Sequence, residues 1–138
     1  MVYVFVGPPI ALARHRFSAK GSIYDSQKDL KRSLAISLAS QHDDRPLYKG
    51  PLELTIRFIF PHRGQNKKSK PYWHNQRPDA DNCLKLVCDV GNGILWEDDK
   101  SICKISLVKV FGDDERTEFM VNELEDVKED DDEQDEKD

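Results

Sequence analysis

LELTIRFIF, residues 52–60, alternates apolar side chains with Glu53, Thr55 and Arg57. Successive side chains of a β-strand point to opposite faces, so this alternation predicts a strand with one buried and one wet face. Residues 61–78 follow it with five Lys or Arg, no acid and several prolines, a composition that indicates a long exposed loop. The remaining elements are placed on either side of this strand.

Before it, Val2–Val6 is a continuous apolar run that predicts a strand buried in the centre of a sheet and stopped by Gly7-Pro8-Pro9. Residues 10–24 are interpreted as irregular and basic. Ser26 is the predicted N-cap of an amphipathic helix that runs to about Ser40.

After it, Ala80 to about Leu95 predicts a second helix, and residues 102–110 and 117–124 predict two strands. The turn residues Gly112-Asp113-Asp114 indicate that these strands form a hairpin. The apolar phase slips between Leu107 and Val108, which suggests a β-bulge.

The predicted order is β-α-β-α-β-β, an α/β (α+β) fold in which two helices cover a small mixed sheet of about four strands. The length of 138 residues predicts one domain, residues 1–124, followed by a disordered acidic tail, residues 125–138. The tail holds 10 acids and 2 bases, net −8, whereas residues 1–124 hold 16 acids and 19 bases, net +3. The overall charge of −5 therefore conceals a basic body that suits a nucleic-acid partner.

No apolar run in the sequence is long enough to span a bilayer. The three cysteines include no Cys-x-x-Cys pair. Together these features predict a cytoplasmic protein with reduced thiols. A zinc site of His74 with Cys83, Cys88 and Cys103 is the alternative. Buried thiols are the preferred interpretation, because positions 83 and 88 of one helix point about 140° apart.

The segment with most chemical information is Arg77-Pro78-Asp79-Ala80-Asp81-Asn82-Cys83-Leu84-Lys85. Side chains two positions apart on a helix point about 200° away from each other around the axis, so Asp79 and Asp81 share a site only if one of them precedes the helix. Pro78 biases Arg77 away from the helical region, and Asp79 or Asp81 is a natural N-cap, which together put Asp79 in the extended approach and Asp81 at the helix start. Lys85 then lies one turn beyond Asp81, where a surface ion pair is the simpler interpretation.

Two adjacent carboxylates repel each other unless a proton or a cation compensates them. Mg²⁺ prefers such hard oxygen ligands and completes its shell with water and phosphate oxygens. Spacing leaves open whether Asp98 or Asp99 supplies a third ligand.

The pattern Asp79-x-Asp81-Asn82-x-x-Lys85, then Asp89, then Trp96-x-Asp98-Asp99 resembles the core motif of the RusA-like Holliday junction resolvases, or crossover junction endodeoxyribonucleases. Segments that are similar to the opening of that family are Pro8-Pro9, the basic residues 14–16 and Gly21-Ser22-Ile23-Tyr24. The resemblance covers about residues 3–124 and is strongest over residues 79–99.

The resemblance implies a homodimer that makes paired symmetric nicks in four-way DNA with Mg²⁺, or Mn²⁺, in recombination and repair, commonly in a prophage setting. It assigns Asp79, Asp81 and Asp99 as metal-binding catalytic carboxylates, choosing Asp99 over Asp98, and Lys85 as the essential lysine.

Basic residues flank this acidic centre, and as a cluster they are predicted to bind DNA phosphates. They are Arg14, Arg16, Lys20, Lys67, Lys68, Lys70 and Arg77. Tyr72 and Trp73 either stack on unpaired bases or pin the loop to the body. Two alternatives to junction resolution stay open: a non-catalytic nucleic-acid-binding module of the antitermination type, and a nuclease for flaps or branched DNA.

Overall fold

The structure is a computed structural model that describes residues 1–13, 16–17, 21, 23–24, 27–62 and 71–127. Strand β1 spans Tyr3–Val6, β2 Arg16–Phe17 and β3 Ile23–Tyr24, followed by helix α1, Lys28–His42, and strand β4, Leu52–Phe60. Helix α2 spans Ala80–Gly91, a 3₁₀ turn Asp99–Ser101, strand β5 Ile102–Phe111 and strand β6 Arg116–Glu123. The predicted fold class and order of the main elements are confirmed, with β2 and β3 added as a short antiparallel pair where the sequence suggested irregular chain.

The main sheet has the strand order β1-β6-β4-β5, in which β4 is parallel to β5 and antiparallel to β6. Strand β4 lies inside the sheet, and its inward residues Leu52, Leu54, Ile56 and Phe58 are almost fully buried. Both helices pack on this face, since α1 contacts β1 and α2, and α2 contacts β5. The opposite face carries ion pairs, such as Lys104 with Glu53 at 3.4 Å.

The prediction that β1 is central is wrong, because β1 lies at the end of the sheet. Tyr3 and Phe5 are buried, whereas Val6 is 91% exposed, so only one face of this apolar strand packs in the core. Gln41 of α1 occupies the position of a missing neighbour strand: its side chain accepts from Val4 N and donates to Val4 O, both at 2.8 Å. One side-chain amide thereby hydrogen-bonds the N–H and the C=O that Val4 presents at the open edge of the sheet.

The predicted hairpin of the last two strands is also wrong, because β4 lies between β5 and β6. The connection crosses the end of β4, where Gly112 N donates to Phe60 O at 2.9 Å. A Cβ on Gly112 would come 2.8 Å from Ile59 Cγ2, so the crossing requires glycine for close approach.

The bulge lies elsewhere than predicted. The β4–β5 register shifts between Leu52 and Glu53, leaving Cys103 as the extra residue, and it runs one to one from Lys104 to Phe111. The apparent slip at Val108 arises because Lys109, opposite Phe58, occupies an inward position that the pattern expects to be apolar.

Helix boundaries differ modestly from expectation. Helix α1 extends to His42 with Gln27 at its N-cap, and Ser26 lies outside the described residues. Helix α2 ends at Gly91 rather than near Leu95, because Gly93 adopts a positive φ of 81° and Leu95 N turns back to Gly91 O at 2.9 Å.

The tail is described only to Val127, so its predicted disorder lies outside the described residues beyond that point.

Candidate active site

The start of α2 carries the two aspartates of the predicted centre. Asp79 is the N-cap with extended backbone, φ −69° and ψ 148°, and Asp81 lies in the first helical turn, as the sequence predicts. Both residues are exposed. The Asp79 side chain makes no capping hydrogen bond in the described part of the chain. Its carboxylate is therefore left for a ligand, at the helix end where the macrodipole favours negative charge.

The pKa of the buried Cys83 thiol depends on the charged groups around the start of α2. Burial is the main cause that raises its pKa to about 11, the Lys109 ammonium lowers it, and the Asp79 and Asp81 carboxylates raise it further. All three charged groups therefore act on this one thiol, and Lys109 is a residue that sequence reasoning missed.

Further along α2, Lys85 is exposed one turn after Asp81. One turn beyond it, Asp89 forms an ion pair with Lys31 of α1 at 2.9 Å, which ties the two helices together. Asp89 thus has a structural partner, whereas Lys85 projects from the exposed side of the helix between Asp81 and Asp89.

Asp98 and Asp99 are distinguished by the 3₁₀ turn. Asp98 caps this turn, its Oδ1 accepting from Lys100 N at 2.8 Å, and that N–H is the main cause that holds the pKa of Asp98 below its usual value. Asp99, the first residue of the turn, is exposed. A side-chain hydrogen bond from Asp99 also lowers the pKa of Asp98, so the two carboxyl groups contact each other at the start of this turn.

Asp99 acts on a different cysteine of α2 from the first two aspartates. Burial chiefly raises the pKa of Cys88 to about 12, and Asp99 and Asp89 raise it further, whereas the carboxylates that act on Cys83 are Asp79 and Asp81. Among the described residues, no group of three or more His, Cys, Asp or Glu side chains is placed to hold a metal ion. The Asp79–Asp81 pair has the donor chemistry that suits a hard divalent cation, while the predicted triad with Asp99 is not assembled in this conformation.

The zinc alternative has no support here, since His74, Cys83, Cys88 and Cys103 are all described and form no such group. Cys83 and Cys88 are buried as expected, but Cys103, at the bulge of an edge strand, is exposed.

We expect a thiol reagent at pH 8 to modify one cysteine per folded chain quickly, because Cys103 is accessible while Cys83 and Cys88 are buried protonated thiols. Absorbance of the thiolate that the reagent releases measures how many cysteines have reacted. Adding a denaturant should expose Cys83 and Cys88, so that they react as well. Cys103→Ser should remove the fast phase. Three thiols reacting at one rate in the folded protein would contradict the burial.

A cleft of about 560 Å³ adjoins Asp79 and is lined by Arg77, Pro78, Asp79 and Asn82. Arg77 is exposed at this cleft, so one predicted phosphate-binding side chain lies beside one predicted metal ligand.

The N-terminal segment also reaches the helix start. Leu12 N donates to Asn82 O at 2.9 Å, and the Gln27 amide holds Ala13 N and Ala11 O, each at 2.8 Å. The backbone just before Arg14 therefore lies beside the first turn of α2. For Arg16, only the backbone is described, and five further basic residues lie outside the described residues: Arg14, Lys20, Lys67, Lys68 and Lys70.

The aromatic residues next to the basic loop are fixed by their backbone. Phe111 N donates to Tyr72 O at 2.8 Å, and Trp73 forms a bridge with Val110 that extends the sheet. Their rings remain 53% and 62% exposed and contact each other edge to face at 4.8 Å. The main chain of these two residues therefore holds the segment against the end of β5, while both side chains remain exposed.

Lys109 is the neighbouring charge that sequence reasoning missed. The signal was a lysine at an inward position of a strand, between Leu107 and Phe111, which was interpreted as a slip of phase.

The sheet is covered by two helices, and the start of α2 carries two exposed aspartates beside a cleft that Arg77 lines. The family model described as "Endodeoxyribonuclease RusA" matches residues 7–122. The chain belongs to the RusA endodeoxyribonuclease family, as the motif over residues 79–99 predicted.

Among curated proteins, the Bacillus subtilis (strain 168) protein described as "Uncharacterized protein YqaN" is similar to this chain, with 26% identity over 136 residues, 88% of this chain and 95% of that protein. Within the described residues, no helix combines the length and the apolar character needed to cross a membrane.

Proposed function

We propose that the chain is a Mg²⁺-dependent, structure-selective endonuclease that resolves four-way DNA junctions by paired symmetric nicks in recombination and repair. The observation that carries this proposal is the exposed Asp79–Asp81 pair at the start of α2, beside a cleft that Arg77 lines. The proposed substrate is DNA, and the proposed location is the cytoplasm.

Asp79 and Asp81 would hold the divalent ion, Mg²⁺ or Mn²⁺, with Asp99 as the third ligand that the family resemblance predicts. When bound, the ion would activate water and offset the charge that builds on the phosphate. Among the described residues the three carboxylates form no single group, so binding of the ion would have to draw the Asp99 side chain towards the pair.

Lys85 and the basic residues act on the phosphate itself. The Lys85 ammonium, on the exposed side of α2 beyond Asp81, stabilises negative charge on the non-bridging oxygens as the bond to the leaving oxygen breaks. Arg77 positions the phosphodiester in the cleft, and the basic segments around residues 14–20 and 67–70 bind flanking phosphates. Tyr72 and Trp73 offer exposed rings to unpaired bases at a branch point.

Two symmetric cuts require two active sites, and each chain carries one, so the proposal includes a homodimer. Sedimentation equilibrium at micromolar concentration should give twice the chain mass of 15.9 kDa. A monomer under those conditions would argue against paired cleavage.

The test is cleavage of four-way, flap and linear duplex DNA side by side, with and without Mg²⁺. We expect nicks in the four-way substrate alone, in symmetric pairs and only with the metal. Binding without nicking would favour a non-catalytic module, and equal cleavage of flaps would favour a general branched-DNA nuclease.

A further inference from the structure

Lys109 occupies an unusual place for a lysine. It lies on the helix-covered side of β5, in register with the buried Phe58, at the end of the strand that faces the start of α2. Its side chain is half-buried, and its ammonium lies 5.8 Å from the centre of the Phe60 ring. The ammonium has two partners, a ring face and a carbonyl.

The carbonyl is that of Gln76, which accepts from Lys109 Nζ at 2.7 Å. The main-chain oxygen of Lys109 accepts from His74 N at 3.0 Å, so one residue holds two positions of the segment that leads to Asp79. With the bond from Phe111 N to Tyr72 O, three described hydrogen bonds fasten residues 72–76 to the end of β5.

The charge of Lys109 acts on the same neighbourhood. Desolvation is the main cause that lowers the pKa of His74, and the Lys109 ammonium lowers it further.

We propose that Lys109 is a positioning residue of the active site: its ammonium fixes the Gln76 carbonyl and thereby holds Asp79, three residues further on, where it can pair with Asp81. This role rests on the proposed function, since it gives the carboxylate pair its geometry for a divalent ion. It is separate from the role of Lys85, which lies on the outer side of α2 and contacts the phosphate.

The test compares Lys109→Met, which keeps the apolar stem but loses the donor and the charge, with Lys109→Arg, which keeps both. The matched control is Lys104→Met, on the same strand but on the helix-free face, where the lysine is 65% exposed and pairs with Glu53. Hydrogen exchange of the His74 amide, whose N–H donates to the main-chain oxygen of Lys109 at 3.0 Å, is the first measurement, because it reports how firmly the segment before Asp79 is held. Lys109→Met should accelerate exchange there by about tenfold, with Lys109→Arg and Lys104→Met near the parent rate.

The second measurement is the midpoint of a Mn²⁺ titration followed by the paramagnetic signal of the free ion, without DNA. We expect Lys109→Met to weaken Mn²⁺ binding by about tenfold and, in single-turnover cleavage with saturating DNA, to lower the rate by about 10–100-fold. Lys109→Arg should restore most of both. Restoration by arginine is a result that simple loss of packing at this position would not produce.

Parent-like exchange of the His74 amide in Lys109→Met would overturn the positioning role, whatever the activity of the protein. If instead the parent neither binds Mn²⁺ nor cleaves DNA while exchange of the His74 amide still responds to Lys109→Met, the proposed nuclease function fails and the anchoring by Lys109 stands. Should Lys109→Met be too unstable to study, Lys109→Gln offers a polar replacement with the same expected order.

Discussion

Asp81→Asn is expected to abolish cleavage of a synthetic four-way junction while leaving binding of that junction intact. The substitution removes one carboxylate of the exposed pair at the start of α2 but preserves the shape of the side chain and the helix turn that it occupies. Loss of a charge-stabilising group at a reacting phosphate costs at least about 100-fold in rate. Single-turnover cleavage in Mg²⁺ measures the rate, and a gel-shift titration without Mg²⁺ measures binding.

The matched control is Asp44→Asn, which removes the same charge from an exposed position just beyond the end of α1. It should cleave at the parent rate, which separates the site from a general change in net charge. Cleavage by Asp81→Asn within a few-fold of the parent would remove Asp81 from the metal site and with it the proposed mechanism.

Trp96→Ala is expected to lower the free energy of unfolding by about 3–5 kcal/mol, because it empties a large fully buried site. Trp96 lies on Gly91 at the end of α2, and its Nε1 donates to Asn92 Oδ1 at 2.7 Å. Urea unfolding followed by far-ultraviolet circular dichroism measures the loss. Since Trp96 also fixes the chain that leads to Asp99, the variant should cleave poorly even when folded.

Gly91 supplies a sharper version of the same test. A Cβ added there would come 2.6 Å from the Trp96 ring, so Gly91→Ala should cost about 1–3 kcal/mol in the parent. In Trp96→Ala the obstruction is gone, and the helix preference of alanine over glycine should make Gly91→Ala neutral or stabilising by up to about 1 kcal/mol. Additive effects of the two substitutions would show that Trp96 does not press on α2 in solution.

Much of the fold could be predicted from local pattern. The alternation over residues 52–60 was sufficient for β4, because a strand with one buried face imposes a period of two on its own sequence. Pro78 and the helix start at Ala80 were sufficient to place Asp79 in extended backbone and Asp81 in the first turn. These are properties of a few neighbouring residues, so no distant contact was needed to infer them.

Errors arose where a partner elsewhere in the chain decided the outcome. The apolar run Val2–Val6 does not reveal that Gln41 covers its open edge, so the expectation of a central strand is wrong. The turn at Gly112 suggests a hairpin, because a short connection is the same in sequence whether its strands pair or straddle a third one. The role of Lys109 has no signal in the local pattern, because its partner Gln76 lies 33 residues away in the chain.

The sequence by itself determined the α+β class, the basic body behind an overall charge of −5, and the family motif from Asp79 to Asp99. All of these depend on composition or on short spacings. The tertiary structure alone decided the strand order, the use of Asp98 as a cap that leaves Asp99 exposed, and the approach of Lys109 to the segment before Asp79. The physical reason is that each depends on hydrogen bonds or packing formed only when the chain is folded, and such contacts leave no periodic trace in the sequence.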